Sequence, residues 1–434
     1  MAPIEHSPDA RTWALKFGRG QVGLDLSRCA RVKEVAPAPC ASSDPDALLE
    51  QALAAPIASP RLRDLAAGAR RVVVLVPDAT RPPLARRILP GVLKELGPAA
   101  RPPREVAILL AAGVHAGVSA QIARQVAGDS LPPQIAVFQN DARKGADFVL
   151  AGTTRRGTPV AVNRLVAEAD LSVLVGATGF HYFAGFGGGR KLIVPGACTY
   201  ETVRANHSLS ITGGDIDPRC HSGALEGNPV HEDMVEGLRL IERVFAVNLV
   251  PDAWGQIAGV VCGDGVASHL EACSRARALL TVPIAARCDL AIASAGGHPT
   301  DMDLIQAHKS IDHAAAAVRD GGVLIAVAEC SAGAGSETFL PWFDLGGPRA
   351  VSARLKADYK LNGQTALSLI KKLERIRVIL VSALEAGVVR RTGMICARGL
   401  DEALALAEQY VGGDPLTYVL PNASGILPAV EVQA

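Results

Sequence analysis

Two histidines and a lysine fall within residues 181–207, with Gly185, Gly187, Gly188 and Gly189 between His181 and Lys191, and His207 closing the stretch. Histidine changes charge near neutral pH, which suits it to acid/base work. A glycine run is kept where the backbone needs φ > 0 or a close approach. Close approach to a phosphate, with exposed N–H groups and a cation alongside, is one such need. The common nucleotide motifs do not fit. Lys191 follows Arg190 and precedes Leu192, which is not a P-loop, and Arg190 stands where a dinucleotide fingerprint has its third glycine. A glycine-rich turn beside a surface lysine accounts for the run alone equally well. The two histidines on the same strand-to-helix transition weigh against that simpler account.

Three other places could add to this chemistry. The β-branched run Arg71 to Val76 reads as a strand and leads into Pro77-Asp78-Ala79-Thr80-Arg81. A carboxylate, a hydroxyl and a guanidinium at a strand's C-terminal end stand where open α/β sheets bind ligands. By itself, Asp78 capping the next helix explains the turn as well. A second strand, Glu105 to Ala111, ends in Gly113-Val114-His115, and alone that histidine reads as a structural one. Further on, Gln306 and Lys309 lie three apart on one face of a helix starting near Asp303, with His308 expected to face elsewhere. A solvated face is the usual fate of such a pair. Cys220, His221 and His231 have no spacing suited to a closed zinc site.

The stretch His181-Tyr182-Phe183-Ala184-Gly185-Phe186-Gly187-Gly188-Gly189-Arg190-Lys191 resembles the HxxAGFxGGRK signature of the nickel-dependent lactate racemase family. The resemblance implies that Lys191 carries a nickel pincer nucleotide (pyridinium-3-thioamide-5-thiocarboxylic acid mononucleotide) through a thioamide bond, beside Gly187, Gly188 and Gly189. It implies that His207, of the pair Asn206-His207, ligates nickel. His181 and His115 become the two acid/base residues. Arg81, in a matching Asp-x-Thr-Arg-Pro segment, becomes a substrate contact, with Asp78 and Thr80 organising it or the cofactor. Gln306 and Lys309 become contacts to substrate and cofactor from a second domain. Enzymes that load the cofactor are implied partners. Two features depart from the family pattern: Gln139-Asn140-Asp141 lacks an expected histidine, and Ile305 replaces a frequent aromatic residue.

The implied reaction is racemisation or epimerisation of a 2-hydroxy acid through a 2-oxo acid. Hydride transfer to the cofactor avoids removing a weakly acidic α-hydrogen beside a carboxylate, and two bases on opposite faces handle the hydroxyl proton. Which hydroxy acid or sugar acid is taken stays open. An inactive nucleotide-binding relative and an NAD-type dehydrogenase are the alternatives, and only the racemase requires nickel.

The elements that must position these groups alternate strand and helix, which predicts α/β architecture. Two domains are expected, each a mainly parallel sheet flanked by helices, with the active site in the cleft between them. Residues 1–281 would carry the tether and the histidines, and residues 282–434 would close over them. The first 65 residues read as irregular apart from one helix, capped by Asp44 and running to Ala55.

Composition fits this picture. The chain has 434 residues, too many for one ordinary core, with 49% hydrophobic and 20% charged content. Lys+Arg 44 against Asp+Glu 43 gives a net charge of +1, which argues against a nucleic-acid surface or a polybasic membrane anchor. Nine scattered cysteines without a CxxC pair suit a reducing cytoplasm. Glu5, His6, Asp9 and Arg11 leave no apolar core for a signal peptide, and no uncharged apolar run is long enough to span a membrane.

Overall fold

The computed structural model describes residues 11–27, 29–38, 40, 43–97, 105–128 and 131–431. Glu5, His6 and Asp9, on which the absence of a signal peptide was argued, lie outside these. The chain forms two compact units. One comprises residues 38–280 with 356–361, and the other comprises 281–355 and 362–434 together with the residues up to Pro37.

In the first unit, six strands run in the order Ile257–Asp264, Val244–Pro251, Leu171–Ala177, Arg71–Pro77, Glu105–Ala111, Ala136–Gln139. All neighbours are parallel except the edge hairpin of Val244–Pro251 with Ile257–Asp264. Apolar residues occupy both faces of each inner strand, as a sheet covered on both sides demands. Val72, Val74 and Val76 pack into one core with the helix Pro45–Ala54, through its Leu49 and Leu53. Val73 and Leu75 pack into the other core with Phe183, Ile193, Val194 and Met234. That second core therefore includes part of the signature stretch. The predicted helix at Pro45 is present, with the Asp44 side chain accepting from the Asp46 amide.

The other unit holds six parallel strands in the order Ile395–Ala397, Arg377–Val381, Val318–Val327, Cys288–Ser294, Thr417–Leu420, Val32–Glu34. Its edge strand corrects two expectations. The N-terminal segment is not irregular: Thr12–Phe17 and Gly20–Asp25 form an antiparallel hairpin, and Val32–Glu34 pairs with Thr417–Leu420. Nor does it belong with the residues up to 281. Leu15, Leu24 and Leu26 are buried with Leu290, Ile292, Val323 and Val419 in the C-terminal core. The hairpin's alternation is weak because most of it is exposed on one side, which hid it among prolines and charges. Among the described residues, no helix is long and apolar enough to cross a membrane.

Candidate active site

In the first unit, chain order places successive strands outward from Arg71–Pro77 on one side and from Leu171–Ala177 on the other. The carboxyl ends of these two neighbours flank the switch point, where open α/β sheets offer a crevice. Asp78, Thr80 and Arg81 follow the first, His115 follows Glu105–Ala111, and His181 to Lys191 follow the second. Sheet topology alone therefore gathers loops that lie far apart in sequence.

Asp78 is buried, and its Oδ2 lies 2.8 Å from His115 Nδ1. The Thr80 hydroxyl donates to Asp78 Oδ1 at 2.9 Å, and Arg81 Nη1 donates to Thr80 Oγ1 at 3.2 Å. Burial would raise the Asp78 carboxyl, but the hydrogen bond and charge of His115, the Arg81 charge and the Thr80 hydroxyl outweigh it and hold it below its ordinary value. A carboxylate at Nδ1 keeps the ring proton on that nitrogen. In neutral His115, Nε2 then carries the lone pair and can accept a proton.

The glycine-rich loop is a two-strand ribbon, Phe180–His181 with Gly185–Phe186, followed by a 3-10 turn over Gly189–Leu192. The expected direct passage from strand to helix is thus interrupted, and the helix Tyr200–Ser208 begins only later, capped by Thr199. Gly188 and Gly189 adopt positive φ, and a Cβ at each would meet Ala177 O at 2.6 Å and His269 Nδ1 at 2.5 Å. The close approach these two glycines allow is therefore to the protein itself. Gly187 is under no such constraint, its nearest neighbour being Gly179 O at 3.7 Å.

Lys191 Nζ lies 3.2 Å from His181 Nε2 and 5.3 Å from the centre of the Phe183 ring. Phe183 also meets the rings of His181 (4.6 Å) and His207 (4.9 Å) edge-on. This phenylalanine, two residues from His181, is the hub of the cluster, and its residue type carries no functional signal in sequence. At the other nitrogen of His181, the Ala184 amide donates to Nδ1 at 3.3 Å. His181 therefore has an amide N–H at Nδ1 and the Lys191 amine at Nε2, whereas His115 has a carboxylate at Nδ1.

His207 ends the helix Tyr200–Ser208, and its Nδ1 lies 3.2 Å from Asn206 Oδ1. Asn206 is fully buried and donates to Asp233 Oδ2 at 2.8 Å, while Asp233 also accepts from Thr154. This chain fixes the proton of His207 on Nδ1 and leaves Nε2 as a ligand atom, the usual support behind a metal-binding histidine. Burial, then the charges of Lys191 and His115, push its pKa down to about 3, so the ring is neutral at working pH. The same charges place His115, Lys191 and His207 in one neighbourhood. The Asn206-His207 dipeptide signalled this pairing in sequence, but Asp233 and Thr154 carried no such signal. Among the described residues, no group of three or more His, Cys, Asp or Glu side chains could hold a metal ion by itself.

In the other unit, the helix Leu304–Ala315 starts at Asp303, whose side chain accepts from the Gln306 amide at 2.8 Å. Lys309 Nζ donates to Gln306 Oε1 at 2.6 Å, so the two predicted side chains share a helix face. His308 is fully buried and kept neutral, its pKa pushed down to about 3 mainly by burial. Asn140, to which no site role was given, is a buried brace that donates to Cys198 O and accepts from Asn163.

Residues 17–216 match the family model described as the lactate racemase N-terminal domain, and residues 284–427 match the lactate racemase C-terminal domain. The lactate racemase of Thermoanaerobacterium thermosaccharolyticum is 33% identical over 386 residues, covering 88% of this chain and 89% of the relative. That of Lactiplantibacillus plantarum is 32% identical over 388 residues, covering 87% and 90%. The solved structure of the T. thermosaccharolyticum lactate racemase apoprotein superposes with a TM-score of 0.87 at 31% identity, over 96% of this chain and 100% of that one. A Thermotoga maritima protein shares the fold at 16% identity, with a TM-score of 0.64.

Proposed function

We propose, for a chain that belongs to the lactate racemase family, that this site interconverts the two hands of a 2-hydroxy acid, with His115 and His181 as the acid/base pair. The observation that carries this reading is the pair of histidines following the carboxyl ends of strands of one sheet, with His115 Nδ1 on the Asp78 carboxylate and His181 Nε2 beside the Lys191 amine. In neutral His115 the Asp78 contact leaves the lone pair on Nε2 to take the hydroxyl proton, and the partner histidine returns a proton as the imidazolium. Racemisation requires one of each in either direction. One turnover leaves the pair reversed and ready for the other hand of substrate.

The donor set suits a nickel pincer nucleotide. Lys191 offers a half-buried amine beside His181, and of the loop glycines only Gly187 has surroundings open enough to face a cofactor, since Gly188 and Gly189 press against the protein. His207 offers a neutral imidazole nitrogen, a ligand type that suits nickel. When bound, this cofactor supplies the carbon that accepts and returns the substrate's hydride. The chain's own residues do the rest. Arg81 is assigned to the substrate carboxylate, which a guanidinium can bind in bidentate fashion. Thr80 and Asp78 brace Arg81 and His115. Gln306 and Lys309 are assigned to substrate and cofactor. Lactate is the substrate named for the relatives, and Ile305 leaves the choice among 2-hydroxy acids to be measured. A reducing cytoplasm is the proposed setting, supported by nine cysteines free of disulfides, and cofactor-loading enzymes are the proposed partners.

The deciding experiment is production with and without those loading enzymes. Loaded protein should carry nickel and an adduct on Lys191 by intact mass spectrometry, and should racemise D- or L-lactate or a related acid. Lys191→Ala should lose the adduct, and His207→Ala should lose nickel while staying folded. Loaded protein without nickel would end this reading in favour of an inactive nucleotide-binding relative or a nicotinamide-dependent enzyme.

A further inference from the structure

Behind His207 a run of hydrogen bonds crosses three elements of the first unit. It starts at the turn between the strands Phe148–Thr153 and Pro159–Asn163, where the Thr158 amide donates to Thr154 Oγ1 at 3.1 Å. A backbone N–H can only donate, so the Thr154 hydroxyl gives its own proton onward, to Asp233 Oδ1 on the helix Pro229–Leu238. The other oxygen of Asp233 accepts from Asn206 Nδ2 at 2.8 Å, and the Val230 carbonyl accepts from the same nitrogen at 3.3 Å. Asn206 Oδ1 is thereby left to face His207 Nδ1, at 3.2 Å. Asn206 and Asp233 are both 0% exposed, so water does not stand in for a lost partner. The partners of Asp233 are a hydroxyl and an amide, both neutral, and a carboxylate buried without a cation is costly to keep. An apolar side chain would fill the same space without that cost. What the carboxylate adds is direction: the Asn206 amide has a donor end and an acceptor end of nearly equal size, and only its neighbours decide which way it faces.

We propose that Asp233, steadied by Thr154, is a positioning residue for the nickel ligand: it keeps the Asn206 amide from turning end for end, so that Nε2 of His207 keeps its lone pair for the metal. The inference rests on the ligand role proposed for His207. In the observed orientation the amide nitrogen meets two acceptors, Asp233 and the Val230 carbonyl. A turned amide would set its oxygen against both. With the carboxylate gone, only the longer contact to Val230 opposes the turn. The turned amide would offer an N–H to His207 Nδ1, the ring proton would move to Nε2, and the atom needed by nickel would be blocked. In the natural arrangement the Asp233 charge also polarises the amide, which strengthens Oδ1 as an acceptor and so makes Nε2 a better donor to a metal.

Long-range 1H–15N spectra of full-length unloaded protein with 15N-labelled histidine, taken at neutral pH, read the His207 tautomer directly. Its signals are those that vanish in His207→Gln. The expected result is an Nδ1–H ring in the natural protein, giving way to a mixture with Nε2–H in Asp233→Asn. An asparagine there keeps the shape of the side chain and can present either end to the Asn206 amide. Thr154→Val should move the ring the same way to a smaller extent, and it decides alone if Asp233→Asn does not fold. Thr154→Ser, which keeps the hydroxyl, should leave the ring as Nδ1–H. After loading, Asp233→Asn should hold nickel roughly 10–100-fold less tightly against a chelator, the scale for losing an outer partner of a ligating histidine. A ring found as Nε2–H in the natural protein, or a tautomer unmoved in folded Asp233→Asn, would overturn the proposal. Nickel held as tightly by Asp233→Asn as by the natural protein would overturn it too, where His207→Ala loses the metal. If His207→Ala keeps its nickel, the ligand role itself falls, and the tautomer result, read without metal, is untouched by that failure.

Discussion

At the scale of single residues, the two histidines differ through one atom each: a carboxylate oxygen at His115 Nδ1 and an amide N–H at His181 Nδ1. If they form one acid/base unit, His115→Ala and His181→Ala should each slow racemisation ~10²–10⁴-fold in both directions. The double variant should lose little more, since the two act together. Progress curves started from each enantiomer measure this. A variant impaired in one direction only would separate the two. Substrate deuterated at the stereocentre should keep its label in product if, as proposed, the carbon-bound hydrogen travels as hydride and neither histidine takes it. Washout into water would mean that one of them does.

At the scale of elements, the loop after Leu171–Ala177 is held by close contacts that only glycine permits. Gly189 combines φ of +49° with a virtual Cβ 2.5 Å from His269 Nδ1, whereas Gly187 has neither constraint. Gly189→Ala should therefore cost about 1–3 kcal/mol from the backbone conformation alone, with the overlap adding to it. Gly187→Ala should change stability by no more than about 0.5 kcal/mol, as most unconstrained sites do. Denaturant midpoints of unloaded protein compare the two, and equal losses would show that the loop relaxes freely around His269. The same loop was the most legible stretch in sequence, because its residue types are unusual and close together. The reason for its glycines was not legible, since Ala177 O and His269 are brought to it by folding.

At the scale of the whole molecule, several histidines are buried and neutral in both units. Burial is the main cause in each case: His231 and His308 are pushed down to about 3, and His269 falls well below its usual value. The unfolded chain protonates such rings near pH 6.5, and the folded chain does not until far lower. Between those limits the unfolded state binds more protons, so stability falls as pH falls. Each such ring withdraws up to about 1.4 kcal/mol per pH unit below about 6.5. Calorimetric melts of unloaded protein should drop steadily from pH 7 to pH 5. A midpoint that stays level across that window would mean that these rings are protonated, or reached by water, in the folded state.

Local rules made much of this protein readable from its sequence. Asp44 and Asp303 marked helix starts in sequence because a cap acts within three residues of itself, and both side chains accept from first-turn amides. Apolar β-branched runs announced the buried strands, since a strand covered on both faces has no polar side to confuse the pattern. The signature from His181 to Lys191 named the family, because its residues are contiguous. Tertiary structure decided what depends on residues far apart in the chain. It put Val32–Glu34 beside Thr417–Leu420, because the carboxy-terminal sheet offered an edge to pair and a core to receive Leu15 and Leu24. It set Asp78 against His115 and Asn206 against both His207 and Asp233, and so fixed which nitrogen of His115 and of His207 holds the proton of the neutral ring. A hydrogen bond over three ångströms is settled only once the strands that carry its ends have chosen their neighbours. The sequence could therefore supply the histidines, but not their tautomers.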